Sequence, residues 1–310
     1  MIVKRPHVSH SQVKNWKSCP RYHKLDKVDG LVPFKGSLFT AFGSAIHATA
    51  EYIFEDERWK EQQEVAELHG VFSVKFEDEL KTLEKEMEGF DSPDTQKLVC
   101  EMKESGAHIA SHIVPAMTKR FGDFKVLGIE EELRMPVPEY PDWDFLGYVD
   151  LIIESNGKIY ICDWKTTSWG WSGGYNFNSK TRFFGPNAEE DWFPSSAPSK
   201  KSDKMVAYQL AYYKHYWMQK HGYENHKDVE VAFILLKRSP GKDKNGKLKN
   251  PVEFFEITCG KKKINNALNL LNEAVYNISN KRYWKNRLSC QKFGGYRQCI
   301  FNISEHCKRG

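Results

Sequence analysis

Four of the seven cysteines in this 310-residue chain stand at its two ends: Cys19 near the start, and Cys290, Cys299 and Cys307 close to the finish. Four thiolates are the number that either a zinc ion or an iron–sulfur cluster requires. A shared centre would tie the first helix to the last segment and close a very long loop, stabilising the fold without taking part in chemistry elsewhere. The spacing Cys290-x8-Cys299-x7-Cys307 is wider than the Cys-x-x-Cys pairs of zinc ribbons or small ferredoxins, so spacing alone leaves zinc and iron–sulfur both open. An odd, unevenly spread set reads as reduced thiols rather than a disulfide framework. Cys100, Cys162 and Cys259 lie in apolar contexts and are expected to be small buried residues.

The hydrophobic fraction of 40% and aromatic fraction of 14% are those of a folded globular protein. No run approaches the roughly 18 apolar residues of a membrane span, and MIVKRPHVSH lacks a secretory apolar core. A cytoplasmic protein that does not contact a membrane is expected. The net charge of +5 permits nucleic-acid binding without arguing for it.

Periodicity divides the chain. Residues 9–25 read as a short helix opened by Ser9 or Ser11, and residues 43–121 as mostly helical, with Ser92-Pro93-Asp94 capping a second long helix. After Gly122 the segments FKVLGIEEELRMPV, FLGYVDLIIE and KIYICDWKTT read as strands, the last two joined across Ser155-Asn156-Gly157. Residues 169–204 form an irregular insertion rich in Gly, Ser, Pro and Asn. A helix at 205–221, a second hairpin with the basic tip RSPGKDKNGKLKN, and a helix at 261–282 complete the chain. This is one domain over 1–310: an N-terminal helix with the first terminal cysteine (1–42), a helical subdomain (43–121), a core carrying the insertion (122–260), and a C-terminal helix and tail (261–310).

On a strand, residues two apart face the same way, so Asp163 and Lys165 project together and Asp150 joins them across the hairpin. Two carboxylates and the Trp164 backbone carbonyl offer hard oxygen ligands for Mg²⁺ or Mn²⁺, and the lysine supplies a charge to orient water and counter a developing anion. An Asp-x-Lys triplet by itself is common on surface strands; the Gly-Tyr-Val-Asp arm before it and the IYIC strand leading into it give it weight.

These segments resemble the RecB-type branch of the PD-(D/E)XK nuclease superfamily, which includes AddB-like, CRISPR-associated and phage exonuclease members. SHSQVKNWKSCPRYHK at 9–24 is similar to the family's opening Cys-Pro helix, AFGSAIHATAEY at 41–52 to its Gly-x-x-x-His segment, and VLGIEEEL at 126–133 to its glutamate strand. GYVDLII and ICDWKTT supply the aspartates and the lysine, and AYQLAYYKHY resembles the Gln-x-x-x-Tyr helix. The resemblance implies an α/β, restriction-endonuclease-like core, a mixed central sheet flanked by helices, with a helical subdomain and a terminus closed by a [4Fe-4S] cluster on Cys19, Cys290, Cys299 and Cys307. It implies metal ligation by His47, Asp150, Asp163 and the Trp164 carbonyl. Glu130, Gln209 and Tyr213 join the catalytic set, and Lys165 acts on the water. The implied activity is hydrolysis of single-stranded or free-ended DNA in recombination, repair or phage DNA metabolism. The enzyme would act alone or beside recombination, helicase or CRISPR proteins; a non-catalytic DNA-binding scaffold is the other class.

Without that resemblance, His47 among Ala and Ile also fits a capping or core histidine. Glu131 and Glu132 adjoin Glu130, and the tyrosines around Gln209 and Tyr213 also fit plain packing. In the insertion, Trp169, Trp171, Lys180 and Arg182 offer either a satellite core or a stacking platform for single-stranded DNA.

Overall fold

The computed structural model describes residues 5–32, 36–60, 65–168, 171, 203–290, 299–302 and 304–307. The insertion residues Trp169, Lys180 and Arg182 lie outside the described residues. Among the described residues, no helix is long and apolar enough to cross a membrane.

A short strand β1 (His7–Val8) leads into α1 (His10–Ser18), capped by Ser9, and α2 (Pro20–His23). Then come α3 (Leu38–Phe54), α4 (Val65–Glu84) and α5 (Pro93–Phe121). Ser37 and Thr40 form a capping box at the start of α3, five residues before the expected helical stretch, and Ser92 caps α5 as expected. The strands β2 (Lys125–Val137), β3 (Tyr140–Ser155) and β4 (Lys158–Thr167) follow, then α6 (Lys204–His221), β5 (Val229–Lys237), β6 (Val252–Glu256) and α7 (Lys261–Ser279).

β3 organises the mixed sheet. β2 pairs antiparallel along one of its edges. The other edge is shared: β1 pairs in parallel at Asp144 and Phe145, and β4 pairs antiparallel only from Leu151 to Ser155. Residues 146–150 of β3 lie between these two partners. The β3–β4 hairpin turns on Asn156 and Gly157, whose φ of 52° and 70° are the left-handed pair a two-residue turn demands. β4 then pairs in parallel with β5, a connection that requires a crossover, which α6 helps provide, and β5 pairs antiparallel with β6.

Both faces of the sheet are covered. Ile159, Ile161, Phe233 and Leu235 pack with α1, α6 and α7, whereas Cys162, Trp164, Ile234 and Leu236 pack with α3, α4 and α5. Burial on two faces explains why β5 reads as an almost continuous apolar run rather than an alternation. The helical stretch 43–121 therefore packs as a layer on the sheet. Cys162 and Cys259 are buried as expected, but Cys100 is exposed. It sits on the solvent side of α5, between the inward-facing Val99 and Met102, where the helical period turns it outward.

The chain ends meet. Trp16 packs edge-on against Trp284, the Asn286 side chain donates to the Ser18 carbonyl at 2.8 Å, and the Asn286 backbone N–H donates to Cys19 Sγ at 3.4 Å.

Candidate active site

The gap on the β3 edge gathers the candidate site residues. Register continuing past Leu151–Cys162 would bring Trp164 opposite Val149, but the ladder stops. The Trp164 N–H instead donates to Asp150 Oδ2 at 2.6 Å. A carboxylate thus takes the place of a strand carbonyl, and the two strands fork around it. Asp150 and Asp163 are 8% and 1% exposed, nearly complete burial for two acids side by side.

Glu130 comes to the fork from β2. It falls opposite Asp150, between the pairs Ile129–Leu151 and Glu131–Val149, and its φ of 48° is unusual for a non-glycine residue. Its neighbours are committed elsewhere: Glu131 to Lys220, His221 and Trp217, and Glu132 to the Tyr148 hydroxyl at 2.9 Å. His47 arrives from α3, on the other side of the sheet from α6. His47, Glu130 and Asp150 each bring a ligand atom within 4.8 Å of the other two. One imidazole nitrogen and two carboxylates suit a hard divalent cation.

Burial, and next Lys165, push the His47 imidazole down to about 4, opposed by a hydrogen bond to the Trp164 backbone. At neutral pH the ring is uncharged, so the 3.8 Å approach of Nδ1 to Asp150 Oδ2 is not an ion pair and leaves a lone pair for a metal. The Asp150 carboxyl is held well above the usual carboxylate range by burial and then by the charge of Asp163; that of Asp163 is raised by burial and opposed by Lys165. Such a pair favours a cation that neutralises both.

Asp163 and Lys165 project together and form an ion pair. Asp163 Oδ1 also accepts from Gln209 Nε2 at 2.8 Å, and the same amide lies 3.2 Å from the Tyr213 hydroxyl. The three-residue ligand group thus closes without Asp163, whose oxygens face Lys165 and Gln209. Burial, and secondarily Asp163, raise the Tyr213 phenol, which stays neutral. The helix bearing these two residues lies close to β3 because position 147 is glycine. A Cβ built there would stand 2.7 Å from Tyr213 Cε1 and 3.1 Å from Phe145.

Sequence reasoning missed Glu51, one helical turn after His47. Partial burial and then Glu130 raise its carboxyl, which places it at the acidic edge of the site. Its signal was the four-residue spacing from His47. Trp171 is half-buried and edge-on to Phe233 and Phe255, packed on the core as a satellite.

A second cavity, between the N-terminal helices and the C-terminal segment, is lined by Cys19, Cys290, Cys299 and Cys307 together with Arg21 and Tyr22. Burial raises the Cys299 thiol, and the other three cysteines add to the effect. No three of these sulfurs lie within 4.8 Å of one another, since His47, Glu130 and Asp150 are the one such group among the described residues.

Residues 7–302 match the PD-(D/E)XK nuclease superfamily. The chain belongs to that superfamily, whose members are metal-dependent phosphodiesterases that use divalent ions such as Mg²⁺. No curated protein matches it.

Proposed function

We propose that the protein is a deoxyribonuclease that degrades single-stranded or frayed DNA from free ends. The observation that carries this reading is the meeting of His47, Glu130 and Asp150 beside the Asp163–Lys165 pair at the fork of β3 and β4. His47, Glu130 and Asp150, with Asp163 and the Trp164 carbonyl completing the set, would hold Mg²⁺ or Mn²⁺, which would supply Lewis-acid charge to the phosphate and make water nucleophilic near neutral pH. Lys165 orients the attacking water and offsets charge building on the phosphate oxygens. Gln209 holds the Asp163 carboxylate, and the neutral Tyr213 hydroxyl lies beside them for the scissile strand.

Linear and circular single-stranded DNA, end-labelled and internally labelled respectively, test this with Mg²⁺ or Mn²⁺ present. The linear strand is expected to be degraded and the circle to survive. A circle opened as fast as the linear strand removes the requirement for ends; cleavage of neither removes the nuclease assignment.

The terminal cysteines are proposed to hold a [4Fe-4S] cluster, a reading supported by the meeting of all four around one cavity. Trp169, Lys180 and Arg182 are proposed to guide a single strand toward Asp163. The double variant Lys180→Glu/Arg182→Glu is then expected to bind single-stranded DNA more weakly and with a flatter salt dependence, the slope falling by up to about 0.7 per lost phosphate contact. Parental binding and cleavage across a salt series would remove these two residues from the substrate path. No Gly-x-x-x-x-Gly-Lys-Ser/Thr motif occurs in these 310 residues, so duplex unwinding would come from a recombination, helicase or CRISPR partner. Co-purification with such a protein tests that part of the reading.

A further inference from the structure

The face of α3 that carries His47 continues away from the metal ligands. Phe39 and Gly43 precede His47 by eight and four residues, so the three lie along one side of the helix. Gly43 lies against β4, where an added Cβ would stand 3.2 Å from Thr166 Oγ1. Farther out, Phe39 reaches the segment after β5. There the Arg238 guanidinium sits over its ring, 4.6 Å from the centroid.

Arg238 is fixed in this position. Its backbone N–H donates to the Thr167 carbonyl at 2.8 Å, and its Nη2 donates to Ser168 Oγ at 3.0 Å. Among the described residues no carboxylate pairs with it. Phe39 is 55% exposed, so its ring leaves much of its apolar area in water. Beyond Arg238 the β5–β6 hairpin adds Lys242, Lys244, Lys247 and Lys249, all exposed, against the single carboxylate of Asp243. That carboxylate is used within the turn, accepting from the N–H groups of Asn245 and Lys247 at 2.8 and 2.9 Å. An open aromatic face beside a cation that Glu101 influences but does not pair with matches the two parts of a nucleotide: a base stacks on the ring, and a phosphate takes the guanidinium.

We propose that Phe39 and Arg238 clamp the substrate strand upstream or downstream of the cut, with the lysines of the 238–250 hairpin carrying its phosphates outward. This rests on the nuclease reading above and adds a binding position to it. Eight residues of helix span ~12 Å. At ~3.4 Å per nucleotide of a stacked strand, the clamp holds the chain about three to four nucleotides from the metal ligands.

The test measures binding of a labelled single-stranded oligonucleotide of about a dozen nucleotides, with Ca²⁺ in place of Mg²⁺ to prevent cleavage, alongside thermal stability and cleavage of a dinucleotide. Phe39→Ala and Arg238→Gln are each expected to weaken binding by roughly tenfold, the size expected when one stacked base or its phosphate contact is lost. Phe39→Trp keeps parental affinity and Phe39→Leu does not, because a base stacks on a ring and not on an alkyl chain. All four variants cleave the dinucleotide, which is too short to reach the clamp, at the parental rate. The clamp is overturned if Phe39→Leu binds as well as Phe39→Trp, if Phe39→Ala binds the long strand like the parent, or if dinucleotide cleavage falls in step with binding. A parent that neither binds nor cleaves DNA overturns both readings; a parent that does both, with variants that match it, overturns the clamp alone.

Discussion

Alanine at Asp163, Asp150 or Lys165 is expected to lower DNA cleavage by roughly 10²–10⁴-fold while single-stranded DNA binding stays within a few-fold of the parent. The magnitude is that of removing one positioned acid–base or charge-stabilising group from a reacting centre. Binding survives because most of the affinity of a single-strand binder comes from phosphate and stacking contacts spread over the surface, not from two buried carboxylates. The Asp150 variant needs care, since the Trp164 N–H donates to that carboxylate and alanine would strand a buried donor at a cost of about 1–3 kcal/mol. Asp150→Asn keeps an acceptor and isolates the loss of charge. Near-parental cleavage by purified Asp163→Ala would contradict the catalytic assignment.

The largest expected effect on stability belongs to the terminal cysteines. Protein purified without oxygen is expected to be brown with about four irons per chain, the content of one [4Fe-4S] core. Cys299→Ser is expected to lose the colour and to melt roughly 10 °C lower or more. A structural metal centre adds its binding free energy to folding, and each kcal/mol moves the midpoint of a domain of this size by about 2–4 °C or less, so a loss of several kcal/mol is required. The existing contacts between Asn286 and Ser18 and between Trp16 and Trp284 would hold the ends only weakly without it. Iron content and the visible spectrum, measured beside thermal melting, decide the matter; zinc without iron in anaerobic protein would contradict the choice of cofactor.

Local chemistry made much of this fold legible. Ser92-Pro93 announces α5, Asn156-Gly157 announces the β3–β4 hairpin, and the apolar run of β5 announces a strand covered on both faces. The two-residue period likewise placed Asp163 and Lys165 on one side of β4, where they form an ion pair. What could not be read locally depends on long-range register. Which of three consecutive glutamates comes near His47 and Asp150 depends on the register shift between Val126 and Gly128 and on the left-handed backbone at Glu130. The fork itself exists because β1 and β4 share one edge of β3, a fact that pairs residues 7 and 8 with 144 and 145. Cys100 is exposed although Leu98, Val99 and Met102 beside it are apolar, because the helical period turns that one position to solvent. Phe39 and Arg238 are separated by nearly 200 residues, and neither stands out from its own neighbours.

In the proposed nuclease, the group formed by His47, Glu130 and Asp150 holds the divalent ion that drives strand cleavage. Its most direct test is a Mn²⁺ titration of single-stranded DNA cleavage by chelator-stripped protein, run for the parent and for Glu130→Gln. Expected are no cleavage in the stripped parent, restoration with a saturable Mn²⁺ dependence, and a Mn²⁺ requirement shifted to at least about tenfold higher concentration in Glu130→Gln, the loss of one charged ligand. Cleavage by the stripped parent, or the same Mn²⁺ dependence in both proteins, would contradict it.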